Sequence, residues 1–104
     1  MSAHYLIRLE DNQGVVIETI QDALGMVDDV LVPMSKRRKG QLQYIDPYGT
    51  TSFNGLQAEA LLSELEKASS LVKSKEAGDL LKSLERIARQ CSEEEHLFLK
   101  FYGD

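Results

Sequence analysis

The hydrophobic period of this chain changes twice along its length, and those two changes restrict the possible folds more than any other feature. Near the start, Tyr5, Ile7 and Leu9 alternate with Leu6, Arg8 and Glu10. A period of two places one side of a strand against a core. Further on, Ala58, Leu61, Leu62, Leu65, Ala68 and Val72 follow helical spacing, and so do Ala77, Leu80, Leu81, Leu84, Ile87, Ala88 and Cys91. The opposite side of that second run carries Lys75, Asp79, Lys82, Arg86 and Arg89, as a solvated helix face requires. Alternation then returns at the C-terminus, with Leu97, Leu99 and Phe101 on one side and Phe98, Lys100 and Tyr102 on the other. Strands, then two helices, then a closing strand predict an α+β domain. Its expected form is a mostly antiparallel sheet with an αα-hairpin packed on one face and a C-terminal strand returning to the sheet.

Local signals divide the chain further. Asp11-Asn12-Gln13-Gly14 has turn chemistry, and Val15, Val16 and Ile17 begin a β-branched run towards Ile20, so residues 4–20 predict a hairpin. Between Gln21 and Met34 the pattern is mixed: Asp22-Ala23-Leu24 suits a short helix and Val30-Leu31-Val32 a brief strand. A strand is expected over 41–46, ended by Asp46-Pro47-Tyr48-Gly49, where Asp, Pro and Gly occupy the first, second and fourth places of a turn. Thr50 to Phe53 extends after it. Asn54 and Gln57 then have the spacing of a reciprocal helix cap. A link around residues 69–74 either joins two helices or lets one longer helix run through.

At 104 residues one domain, 1–104, accounts for the whole chain and leaves room for an ordinary core. Twelve Lys and Arg against seventeen Asp and Glu give a net charge of −5, the wrong sign for a protein that coats nucleic acid directly. A single cysteine excludes an internal disulfide or a four-cysteine zinc site. No apolar run reaches the roughly 20 residues that span a bilayer, and no signal-peptide pattern opens the chain. The expectation is a cytoplasmic protein with no membrane partner and no cofactor.

Residues with chemical potential have ordinary readings beside their functional ones. Cys91, with His96 or His4 as base, has the elements of a nucleophile, but it lies on the apolar stripe of the second helix, where a thiol behaves as a small hydrophobe. His4 and His96 come together only if the terminal strands bring them to one place. The basic run Lys36, Arg37, Arg38 and Lys39 reads as a solvated loop, or alternatively as a contact for nucleic acid. The acids are more numerous: Asp28 and Asp29, Glu64 and Glu66 on the first helix, and Glu93, Glu94 and Glu95 before the closing strand. They suit a cationic partner, with Tyr48 and Tyr102 as aromatic anchors and Phe98 beside Tyr102 on an uncovered sheet face.

The run Tyr44-Ile45-Asp46-Pro47-Tyr48-Gly49 through Phe53-Asn54, with the ending Phe101-Tyr102-Gly103-Asp104, resembles a group of small bacterial proteins. These share a strand, an Asp-Pro-Tyr-Gly turn, Phe-Asn, a helix, and a C-terminal strand closing in Gly-Asp. In size, acidity and lack of a catalytic motif the chain is also similar to immunity proteins of bacterial toxin systems, contact-dependent inhibition among them. That similarity implies a non-enzymatic inhibitor that blocks a cognate toxin C-terminal domain, a basic nuclease whose phosphate-binding surface an acidic protein would occupy. The residues it would use are Asp28, Asp29, Tyr48, Glu93, Glu94, Glu95 and Tyr102. The alternative is a small adaptor or nucleic-acid-associated regulator acting through residues 36–39.

Overall fold

A computed structural model describes residues 4–27 and 40–103. Strand β1 (Leu6–Asp11) turns back into β2 (Val16–Gln21). The Asp11 carboxylate accepts the amides of Gln13 and Val15, both at 2.9 Å, and Gly14 takes φ +82, which a side chain would resist. After the turn at 46–49 come β3 (Thr50–Phe53), helix α1 (Gly55–Ser69), helix α2 (Lys75–Glu93) and β4 (Leu97–Tyr102). The sheet order is β2-β1-β4-β3, with every neighbouring pair antiparallel. The C-terminal strand is therefore central, and among the described residues β2 and β3 are the edges.

Both helices lie on one face of the sheet. Ile7 and Leu9 of β1, Leu99 and Phe101 of β4, and Phe53 of β3 point into the same core as Leu61, Leu65, Leu81, Leu84 and Ile87. Phe101 is at its centre, meeting Tyr5 and Phe53 edge-on with ring centroids 6.2 and 5.8 Å away. The Asn54–Gln57 cap forms in both directions at 2.9 Å. Ser74 caps α2 through the Ala77 amide at 3.1 Å, so the chain makes two helices and not one long one.

One expected strand is absent. Residues Gln41–Tyr44 form a 3-10 helix within the stretch 41–46 expected as a strand. Its amides are taken up from a distance: Glu64 of α1 accepts from Gln41 at 2.6 Å and from Leu42 at 3.2 Å. Leu42 and Ile45, three apart and so on one side of a 3-10 turn, are both buried. Glu64, an apparent surface acid in the sequence, is an internal cap. The expected brief strand at Val30-Leu31-Val32, Asp28, Asp29 and the basic run Lys36 to Lys39 lie outside the described residues.

The two halves of the resembling motif prove to be one contact. The Gly103 amide donates to the Gly49 carbonyl at 2.7 Å, and a Cβ on Gly103 would run into the carbonyl groups of Asp46 and Pro47. Asp46 holds the turn from within, accepting the Tyr48 amide at 2.9 Å, while its own amide donates to the Thr51 hydroxyl at 2.8 Å. The pattern therefore describes how β4 closes on the turn before β3.

Candidate functional site: an acidic groove at one end of the sheet

Where α2 ends, the chain must reverse into β4 within three residues. Glu94 ends the helix with its amide on the Gln90 carbonyl at 3.1 Å, and His96 adopts φ +65, left-handed for a non-glycine residue. This reversal places Glu93, Glu94 and Glu95, all exposed, beside the start of α1. Together with Asn54, Leu56, Glu59, His96 and Leu97 they line a groove of about 570 Å³. Four carboxylates face it, and among the described lining residues the one basic side chain is His96, 3.9 Å from Glu95. Leu56 is 80% exposed at its rim. The result is a hollow of strongly negative potential with one apolar contact point, suited to a cationic partner surface carrying an apolar side chain.

The sequence singled out Glu93, Glu94 and Glu95 but missed Leu56 and Glu59. A signal for Leu56 was present: it is apolar, yet falls on the opposite side of α1 from Ala58, Leu61, Leu65 and Ala68. Tyr48 is 86% exposed on its turn but sits at the other end of β4, against Gly103. The groove and Tyr48 are thus separated by the length of a strand. A smaller hollow of about 220 Å³, lined by His4, Tyr5, Gln21, Asp22 and Ala23 among others, lies at the far end of β1.

Tyr102 is on the sheet face away from the helices, as is Phe98, and both are half-buried. Its hydroxyl donates to the Glu10 carboxylate, which Lys100 meets at 3.1 Å, and the Arg8 guanidinium lies 5.5 Å from its ring centroid. Glu10 is only 4% exposed. Burial pushes its carboxyl up, but the Tyr102 hydrogen bond, the Lys100 contact and the Lys100 and Arg8 charges outweigh it and hold the group below the ordinary range. The same hydrogen bond, with burial, raises the Tyr102 phenol. Tyr102 is accordingly a member of an internal polar cluster.

The thiol of Cys91 is fully buried under β4, 3.5 Å from the Leu97 carbonyl. Burial pushes it up to about 11, the opposite of what a nucleophile needs. His4 and His96 do not meet. They precede β1 and β4, and antiparallel pairing of Leu6 with Tyr102 and Asp11 with Leu97 sets the two strand starts at opposite ends. Among the described residues no group of His, Cys, Asp and Glu could hold a metal ion, and no helix is long and apolar enough to cross a membrane.

No protein-family model, curated protein or solved structure matches this chain.

Proposed function

We propose that this chain is an immunity protein that binds a basic toxin domain of nuclease type and keeps it from its substrate. The observation that supports this is the groove: Glu59, Glu93, Glu94 and Glu95 converge on one hollow around the exposed Leu56. A nuclease must present cations where phosphates bind, and an acidic surface with an apolar anchor competes for that place. Binding through such a surface is steered by charge, so its rate depends on salt. The proposed partner is the C-terminal toxin domain encoded next to this chain.

The test pairs the neighbouring gene's C-terminal domain with this protein. Expressed alone, that domain should arrest growth, and co-expression should restore it. Replacing Glu93, Glu94 and Glu95 with Lys should slow association about tenfold or more at low salt and flatten its salt dependence. A toxic neighbour that this protein neither binds nor neutralises would overturn the reading. Unchanged association kinetics in the folded triple variant would remove the groove from the interface.

A further inference from the structure

The β2 edge offers a second surface, unrelated to the groove. Asp22 donates its amide to the Tyr5 carbonyl at 2.9 Å, and Ile20 and Glu18 stand opposite Ile7 and Leu9. In an antiparallel ladder alternate residues direct their backbone groups to the same side. Residues 18, 20 and 22 therefore bond to β1, and Thr19 and Gln21 present their N–H and C=O groups outward. Beside this edge, Val15, Val16, Ile17 and Leu24 are 56, 44, 46 and 60% exposed. An edge bearing unpaired backbone groups and apolar side chains is a template for another strand.

We propose that the occupant is a second copy of this chain, joined antiparallel about a two-fold axis at Thr19. The register is self-complementary. Thr19 meets Thr19, Glu18 meets Ile20, Ile17 meets Gln21, and no like charges stand opposite each other. Val15 and Leu24, both exposed, flank the paired stretch at its two ends. The bulge at Ile17, which the β1 register skips, confines the regular pairing to the Thr19 end of the strand.

Helix α2 supplies an independent match. Arg86 bonds to Glu18 at 2.5 Å, so the side of α2 that carries Arg86 overlooks β2. Glu76, Asp79, Ser83, Arg86 and Gln90 recur on that side at spacings of three and four. The helix runs antiparallel to β2, because its end leads into β4 at the Asp11 end of the hairpin. Ser83, one turn before Arg86, therefore stands over the Thr19 region. A two-fold axis there sets the two α2 helices antiparallel, with Ser83 near the axis. Asp79 of each copy then lies towards Arg86 of the other: a small residue at the closest approach, flanked by opposite charges. The two sheets become one of eight strands with all four helices on the same face.

Sedimentation equilibrium over a concentration series tests this. The wild-type chain should sediment as a dimer, and Thr19→Pro as a monomer with unchanged circular dichroism, since the Thr19 amide points away from β1 and bonds to no described strand. A second pair of variants covers the case in which that proline disturbs folding. Asp79→Arg should raise the dimer dissociation constant about a hundredfold, and so should Arg86→Asp, because each sets like charges together twice. Mixing the two variants should restore dimers, as each then supplies the charge the other lacks. A wild-type chain that stays monomeric throughout, or a dimer that survives both Thr19→Pro and Asp79→Arg, overturns the proposal.

Discussion

Glu10 and the trio Glu93, Glu94 and Glu95 are the same side chain in opposite circumstances. Glu10 stands on a central strand with a hydroxyl and an ammonium on its oxygens and a guanidinium close by. The trio stands at the end of a helix, exposed, and among the described residues its one ion pair is the 3.9 Å contact between Glu95 and His96. A carboxylate that is enclosed and satisfied contributes to stability, and removing it leaves its partners stranded. One that is exposed and crowded by its own kind contributes little to the fold and remains available to a partner. The difference separates scaffold from surface more sharply than residue type does.

The largest expected effect follows from breaking the enclosed side of this comparison. Glu10→Leu should lower unfolding stability by about 3 kcal/mol, because the Lys100 ammonium and Tyr102 hydroxyl lose their acceptor. Denaturant titration would show it, and a loss below about 0.5 kcal/mol would mean the cluster is incidental. Gly103→Ala comes next, at about 2 kcal/mol, since the added methyl meets rigid backbone at the Asp46-Pro47 turn. The same titration should rank it between Glu10→Leu and the surface variants.

Acid titration sharpens the comparison. The folded-state pKa of Glu10 lies below its ordinary value. Its contribution is therefore complete above the unfolded-state pKa and disappears as pH falls through the folded-state one. Glu10→Gln should flatten the acid limb of the stability profile, read as denaturant midpoint against pH. The same measurement at neutral pH applies to the triple variant with Gln at 93, 94 and 95. The smallest effect belongs to that triple variant. Its stability at neutral pH should stay within about 0.5 kcal/mol of wild type, with a slight gain, because negative charge at the end of α2 opposes the helix dipole. A loss of several kcal/mol would place the trio in the scaffold after all. Cys91 provides an internal control: it should resist alkylation in the native state and react fully in denaturant.

Much of this architecture was legible from residue spacing. The alternation at 5–10 and 97–102, the stripe from Ala77 to Cys91 and the Asn54–Gln57 cap are local patterns whose physical cause lies within a few residues. Errors arose where the partner was remote. The stretch 41–44 has no local reason to form a 3-10 helix; that reason is the Glu64 carboxylate, more than twenty residues along the chain. The hydrogen bond of Tyr102 was equally hidden, because its partner, Glu10, sits at the other end of the sequence. Leu56 showed itself off the apolar stripe of its helix, but what it overlooks depends on how α2 returns to β4.

Residue spacing alone determined the two alternating strands at 5–10 and 97–102, the two helices and their core-facing stripes, the Asn54–Gln57 cap and the turn at Asp46-Pro47-Tyr48-Gly49, because side-chain periodicity and backbone sterics act over short range. Only the tertiary structure decided the strand order, and every functional reading depends on that order. Placing β4 between β1 and β3 brings Glu10 under Tyr102, separates His4 from His96, and gathers Glu59 with the trio into one groove. Among the described residues it also leaves β2 at the edge of the sheet. Contacts between residues far apart in sequence arise from packing both helices on one face of a twisted sheet, a condition that no local pattern encodes.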